Sequence, residues 1–101
     1  MVNKDIINTA KEYVSSIPED LGIRKAFLFG SYAKGLEREE SDIDIAIILE
    51  NMSDFFATQR LLMRLRRTID LRIEPHPIHV KDFNSQNPFA FEIEKSGIEI
   101  V

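Results

Sequence analysis

Two stretches stand out in this chain, Phe27-Leu-Phe-Gly-Ser-Tyr-Ala-Lys-Gly35 and Ser41-Asp-Ile-Asp-Ile-Ala-Ile-Ile-Leu49. In the first, a short apolar run stops at Gly-Ser, which is typical of a buried strand that ends in a turn. In the second, two aspartates open a run that is otherwise almost wholly apolar, as expected of an interior strand covered on both sides. Ten residues separate the Gly-Ser pair from the Asp-x-Asp triplet. The pattern predicts two strands joined by a polar loop, with a polar site where they meet.

The Gly-Ser pair suits a phosphate. Gly30 has no Cβ, so the backbone there can pass close to a ligand. A short helix beginning at Ser31 would present free N–H groups and a positive dipole end to phosphate oxygens, and the Ser31 hydroxyl would add a hydrogen bond. Lys34 could reach a triphosphate, although an exposed charge that only aids solubility is an equal interpretation of this lysine.

The Asp-x-Asp triplet suits a metal ion. Side chains alternate along a strand, so Asp42 and Asp44 are predicted to lie on one face. Without a cation, their repulsion would raise the pKa of one carboxyl or weaken the fold. Mg²⁺ takes oxygen ligands and commonly combines one or two carboxylates with substrate phosphates. A solvated acidic turn is the alternative, but the nearby Gly-Ser pair favours a metal–nucleotide site.

Together these residues resemble a known family. Gly30-Ser31 with Asp42-Ile43-Asp44 is similar to the signature of the DNA polymerase β-like nucleotidyltransferase superfamily, and the small size resembles its minimal branch, the MNT proteins. The resemblance covers the chain from about residue 22 to residue 80. It implies an α/β (α+β) fold, a mixed β-sheet with helices mainly on one face. It also implies a third carboxylate on a later strand, for which Asp70 is the candidate.

The resemblance further implies a Mg²⁺-dependent transfer of a nucleoside monophosphate, AMP from ATP, to a hydroxyl group. Asp42 and Asp44 would hold two Mg²⁺ ions, and Asp70 would bind the catalytic ion and accept the proton of the attacking hydroxyl. MNT proteins are often paired with a HEPN-domain protein, a helical RNase toxin. The expected role is therefore that of an antitoxin that modifies a tyrosine of such a toxin. Two alternatives remain: a weakly catalytic or non-catalytic module that neutralises a helical partner, and a transferase acting on a small hydroxylated molecule.

Length and composition set further limits. A chain of 101 residues allows one domain, residues 1–101. The net charge of −4 argues against a protein that grips nucleic acid through a broad basic face. The chain has no cysteine, so disulfides and cysteine–zinc sites are excluded. No apolar run reaches membrane-spanning length and the first residues are polar, so the expected location is cytoplasmic.

Helices are predicted over residues 3–16 and 53–68, with a short last helix starting at Asn87-Pro88; strands are predicted over residues 23–29, 69–74 and 98–101. The predicted third strand places Asp70, Arg72 and Glu74 on one face. Glu74 competes with Asp70 as third metal ligand, but at ~3.3 Å per residue the two lie about 13 Å apart and cannot share one ion. Arg72 could orient a carboxylate or a phosphate.

Several other side chains have two interpretations. His76, between two prolines, is expected in a rigid turn with a structural rather than a catalytic role. The arginines of the second long helix suit its C-terminal dipole or form a cationic edge for a partner. Phe83, Phe89 and Phe91 are assigned to the core rather than to a partner surface. Three glutamates of the loop between the motifs are expected to face solvent: Glu37, Glu39 and Glu40.

Overall fold

The chain forms a four-stranded mixed sheet in the order β3-β2-β1-β4. A computed structural model describes residues 3–38 and 41–101, so the expectation for Glu39 and Glu40 lies outside the described residues. The strands are β1 (Ile23–Phe29), β2 (Ile43–Leu49), β3 (Ile73–His79) and β4 (Ile98–Glu99). β1 pairs antiparallel with both β2 and β4, whereas β2 pairs parallel with β3. The two strands predicted from the motifs are confirmed, and β2 lies in the interior of the sheet.

In the described part of the chain, four α-helices accompany the sheet: α1 (Lys4–Ser15), α2 (Ser31–Lys34), α3 (Phe55–Leu65) and α4 (Pro88–Ser96). The three longer helices begin at side-chain caps, in which Asn3, Asp54 and Asn87 accept hydrogen bonds from backbone N–H groups of the first turn. Such caps satisfy donors that a helix start leaves free, which is why these helix starts were predictable. Within the described residues, no helix is long and apolar enough to cross a membrane.

The isoleucines of β2 divide the core into two parts. Ile43, Ile45 and Ile47 are fully buried in one cluster with residues of α1 and α3. Ala46 and Ile48, on the opposite face, pack in a smaller cluster to which α4 contributes. Each fully buried Ile side chain contributes roughly 1.5–3 kcal/mol of hydrophobic stabilisation. The prediction of a mixed sheet with helices mainly on one face is confirmed, with α4 on the second face.

The third strand is not where the sequence predicted it. Residues 66–68 form a 3₁₀ turn, and the N–H groups of Ile69 and Asp70 both donate to the Arg66 carbonyl, so the chain is still turning at Asp70. β3 begins only at Ile73. The predicted strand over residues 69–74 is therefore wrong, and the 13 Å separation of Asp70 and Glu74 that was based on it does not apply.

Two prolines are the reason why the sequence did not predict this strand. Pro75 and Pro77 indicated a turn, yet both lie within β3, and His76 between them is a strand residue rather than a turn residue. Proline lacks an N–H donor and is tolerated in a sheet where its nitrogen faces the free edge. β3 is such an edge strand, since β2 is its only neighbour among the described strands.

Side chains of the preceding helical segment cover the free edge of β3. Arg66 Nη1 donates to the Ile73 carbonyl at 2.9 Å, and Gln59 Nε2 donates to the Pro75 carbonyl at 3.1 Å. These carbonyls therefore point away from β2. The two bonds occupy groups that would otherwise be open to pairing with another strand.

Two further expectations are corrected. Phe89 and Phe91 are 45% and 53% exposed, so their assignment to the core is wrong, whereas Phe83 packs half-buried against the smaller cluster. Glu37 does not simply face solvent, because it is half-buried and its Oε1 is buried without a partner among the described residues.

Candidate functional site

The site is centred on Asp44 at the start of β2. Its neighbours across the sheet are Phe29 on β1 and Glu74 on β3. Gly30, the residue after β1, has φ +76°, and a Cβ at this position would lie 2.5 Å from Asp44 Oδ2. Only glycine fits here without a shift of the backbone or of the carboxylate. The sequence predicted that a ligand could come close to the Gly30 backbone. In the structure, it is the Asp44 carboxylate that lies close to it.

Asp42 stands at the entrance of β2. It is exposed and lies one residue before the strand, whereas Asp44 is half-buried and lies within it. Ile43, between the two, is fully buried on the opposite side. This alternation indicates that both carboxylates lie on the side of the sheet opposite to Ile43. The predicted pairing of the two aspartates on one face follows from the strand that the structure shows.

Glu74 is the carboxylate closest in register to this pair. It is the direct partner of Asp44 in the parallel ladder, and neighbouring strands lie about 4.8 Å apart. Residues paired in this way project from the same face of a sheet, so Glu74 faces the side on which Asp44 stands. The sequence had named Glu74 as the competitor of Asp70, and the observed register favours it.

Asp70 has a different set of contacts. Arg72 Nη2 lies 2.7 Å from Asp70 Oδ2, and Arg72 Nε donates to Asp70 Oδ1 at 3.0 Å. Arg72 Nη1 also contacts the Tyr32 hydroxyl of α2 at 3.1 Å. The hydrogen bonds from Arg72 hold the pKa of the Asp70 carboxyl below its usual value. Asp70 thus anchors the arginine that ties the turn before β3 to α2, and its role as third metal ligand stays a prediction.

His76 also takes part in the site. Its Nε2 lies 3.1 Å from Asp44 Oδ1, and its ring packs against Phe29 and Phe89 at centroid distances of 5.0 and 6.2 Å. The expectation of a structural role for His76 depended on a turn at this position, whereas the structure has a strand. The detectable signal was the period of two in Glu74-Pro-His76, which places Glu74 and His76 on one face of a strand.

The phosphate-binding candidates Ser31 and Lys34 belong to the short helix α2, which begins directly after Gly30. Ser31 begins α2 directly after Gly30, and Lys34 ends the helix with an exposed side chain. Tyr32 is buried and fixes α2 against the core. The loop returns to β2 through Ser41, whose Oγ accepts a hydrogen bond from the Arg38 N–H at 2.8 Å. Ser31 therefore directly follows the glycine that lies against Asp44, while the phosphate-binding roles of Ser31 and Lys34 stay predictions.

The donor set fits a hard divalent cation that also binds a nucleotide. In residues 3–38 and 41–101, no three His, Cys, Asp or Glu side chains form a ready-made metal cage. Asp44 nevertheless lies against the bend at Gly30, and Glu74 is its partner across the ladder. Mg²⁺ usually takes one or two carboxylates and completes its shell with phosphates and water, so it needs no such cage.

Comparison with known proteins agrees with this arrangement. The family model described as polymerase beta, nucleotidyltransferase, matches residues 4–101. A protein of Methanocaldococcus jannaschii named "Putative protein adenylyltransferase MJ0141" is 32% identical over 99 residues, which cover 95% of this chain and 96% of that protein. A second protein of that organism, "Putative protein adenylyltransferase MJ0604", is 35% identical over 78 residues, 73% of this chain and 78% of that protein.

Solved structures share the fold. A toxin-antitoxin crystallised with AMP-PNP has a TM-score of 0.68 and 22% identity, covering 94% of this chain and 72% of that one. A putative nucleotidyltransferase from Sulfolobus solfataricus has a TM-score of 0.65 and 18% identity, covering 94% and 78%. Likeness at these identities shows the fold, while the family is shown by the match over residues 4–101. The chain belongs to the polymerase beta nucleotidyltransferase family.

Proposed function

We propose that this nucleotidyltransferase transfers AMP from ATP to a hydroxyl group of a partner protein, a tyrosine of a toxin, and so acts as an antitoxin. The observation that carries the proposal is the contact between the Gly30 bend and Asp44. It sets a carboxylate directly beside the turn at which a triphosphate would be held. ATP as the substrate would place the reaction in the cytoplasm.

Mg²⁺ is the proposed cofactor, with two ions shared among the carboxylates. Asp42 and Asp44 would hold them at the start of β2. An ion held by these carboxylates would supply charge neutralisation for the triphosphate and a lower pKa for the attacking hydroxyl. Gly30 leaves room for the Asp44 carboxylate beside the phosphates. The Ser31 hydroxyl would donate to a phosphate oxygen, and Lys34 would supply a positive charge from the last turn of α2.

For the third carboxylate we propose Glu74 rather than Asp70. Glu74 stands beside Asp44 in the ladder, whereas Asp70 is held by two hydrogen bonds from the Arg72 side chain. A carboxylate whose pKa is lowered by a bound guanidinium is a weaker proton acceptor. Glu74 would accept the proton of the attacking hydroxyl, and Arg72 would keep α2 in place through Tyr32.

The toxin partner is proposed from two kinds of support. The M. jannaschii relatives are named as protein adenylyltransferases, and structural neighbours are toxin-antitoxin complexes, among them an MntA-HpeT mutant at a TM-score of 0.67 and 20% identity. The MNT resemblance adds that such a toxin would be a HEPN-domain protein. A protein acceptor also agrees with the exposed aromatic side chains Phe89 and Phe91, which are 45% and 53% exposed.

A label-transfer experiment tests the proposal. The protein is incubated with Mg²⁺, the product of the adjacent gene and ATP labelled at the α-phosphate. We expect label on the partner, located on a tyrosine by mass spectrometry, and no label with the Asp42→Asn/Asp44→Asn variant. Full transfer by that doubly substituted protein would contradict the proposal.

The second candidate is a binding module that neutralises its partner by contact alone. The exposed phenylalanines favour it, since apolar side chains left in water commonly mark an interface. The same experiment separates the two functions. A stable complex that carries no label, formed equally well by the doubly substituted variant, would indicate the module.

A further inference from the structure

A pocket of about 280 Å³ opens beside Glu74 and His76, at the edge of β3. Phe55, Gln59 and Phe89 form further parts of its wall. We infer that this pocket receives the acceptor side chain, and that the side chain is a planar ring carrying a hydroxyl group. The inference rests on the proposed function and adds the place from which the acceptor approaches.

The order of the strands gives the direction of approach. Gly30 and Ser31 follow β1 on one side of Asp44, while Glu74 lies on β3 on the other side. In phosphoryl transfer the attacking and leaving oxygens stand roughly in line on opposite sides of the phosphorus. A pyrophosphate held at Ser31 leaves toward β1, so the attacking oxygen comes from the β3 side. The pocket lies on that side and shares Glu74 with the proposed site.

The lining favours a ring. The exposed fraction is 47% for Phe55 and 45% for Phe89, and both rings line the pocket. Aromatic side chains gain from edge-to-face or offset contacts with another ring in addition to the area that they bury. A small aliphatic alcohol such as a serine side chain would leave most of these surfaces uncovered.

The free edge of β3 is poorly suited to pairing with a strand of the partner. Pro75 and Pro77 have no N–H to donate, and the carbonyls of Ile73 and Pro75 already accept from Arg66 and Gln59. An added strand would find too few free groups to form a ladder. The partner is therefore recognised by a side chain that enters the pocket.

Gln59 is a fixed part of the pocket wall. Its Nε2 is bound to the Pro75 carbonyl, which fixes the amide, and its Oε1 is buried without a partner among the described residues. Glu74, in the same wall, faces the position of the attacking hydroxyl.

The proposed reaction is a substitution at the α-phosphorus of ATP. The ring hydroxyl oxygen forms a bond to the α-phosphorus of ATP. The bond from that phosphorus to the oxygen bridging to the β-phosphate breaks, and pyrophosphate leaves with the electron pair. The hydroxyl proton passes to the Glu74 carboxylate and then to water.

Neighbouring phenylalanines supply a matched test. Phe55 lines the pocket, whereas Phe56, its neighbour in sequence, does not, and the two rings contact each other at a centroid distance of 5.5 Å. N-acetyl-tyrosine amide is titrated into isotope-labelled protein and followed by NMR, with N-acetyl-serine amide as the comparison probe. We expect the tyrosine probe to shift the signals of Glu74, His76 and Phe89. We also expect Phe55→Ala to weaken its binding about tenfold, and Phe56→Ala to leave its binding unchanged.

Phe55→Leu is measured in parallel because it keeps most of the apolar volume, so that an effect of the alanine variant can be told from a loss of folding. We expect Phe55→Leu to weaken binding of the tyrosine probe as well, because it removes the ring. Equal binding of both probes, or an equal effect of Phe55→Ala and Phe56→Ala, would overturn the inference. Binding of ATP with Mg²⁺, measured separately by calorimetry, reports on the proposed function. If the unsubstituted protein does not bind ATP with Mg²⁺, the proposed function is contradicted. If it binds ATP normally but the tyrosine probe shifts no NMR signal near the pocket, only the acceptor site is contradicted.

Discussion

A Cβ atom at Gly30 would lie 2.5 Å from Asp44 Oδ2. The bend after β1 is therefore packed against the carboxylate of β2, and any side chain added at Gly30 would displace Asp44. The two halves of the motif are separated along the chain by a loop, yet the antiparallel pairing of β1 and β2 brings them into contact. Four predictions follow from this site and its supports, each with its own measurement.

Gly30→Ala should remove transfer activity and weaken nucleotide binding, because the added methyl group displaces the Asp44 carboxylate. The backbone φ of +76° adds a conformational cost of about 1–2 kcal/mol in the free energy of unfolding. Gly22→Ala is the control, since Gly22 has a similar φ of +65° but lies away from the carboxylates. Chemical denaturation should show that both variants are destabilised, and calorimetry should show that only Gly30→Ala binds ATP more weakly. Equal ATP binding by the two variants would refute the prediction.

Glu74→Gln should lower kcat by about 10²–10⁴-fold, since the amide keeps the shape of the side chain and cannot accept a proton. Asp70→Asn should have a much smaller effect on kcat, and should instead loosen the contact between Arg72 and Tyr32. Steady-state kinetics with a fixed partner concentration compares the two variants. The opposite ranking would assign the third carboxylate to Asp70, as the sequence first predicted.

His76→Phe should weaken divalent-metal binding about 10–100-fold, because outer partners hold metal-binding carboxylates in place. The phenylalanine ring preserves packing against Phe29 and Phe89 but removes the hydrogen bond to Asp44. His76→Gln, which retains a donor, should recover part of the affinity. Mn²⁺ binding followed by electron paramagnetic resonance measures this directly, and identical affinities for all three proteins would exclude a positioning role for His76.

Stability should depend on pH through Asp70. The pKa of this carboxyl is lowered in the folded state, first by the hydrogen bond from the Arg72 side chain. Its stabilising contribution is therefore complete above the unfolded value of about 3.9 and is lost as the pH falls through the lower folded value. Because the Arg72 side chain is 43% exposed, we expect a contribution of only about 0.5 kcal/mol.

Denaturation between pH 2 and pH 6 should thus show a slightly steeper acid loss for the unsubstituted protein than for Asp70→Asn. A matching substitution at the exposed Asp82, Asp82→Asn, should leave the profile unchanged. Identical profiles for the Asp70→Asn variant and the unsubstituted protein would show that the Arg72 contact contributes nothing to folding.

Much of the fold could be predicted from local patterns. The apolar runs that became β1 and β2, the caps at Asn3, Asp54 and Asn87, and the Gly-Ser and Asp-x-Asp pairs are all short-range signals. Each depends on a few neighbouring residues whose preferences agree with the final structure. The same signals predicted which residues of the two motifs would face one another.

The tertiary structure decided the position of β3 and, with it, the rest of the site. Pro75 and Pro77 suppress the strand signal, and only an edge position with their nitrogens turned outward makes them acceptable in a sheet. The pairing of Asp44 with Glu74, and the contact of His76 with Asp44, follow from the parallel register between strands far apart in sequence. Register depends on which side chains are buried together across the whole sheet, so the sequence determined the two motifs, and packing selected the side chains that complete them.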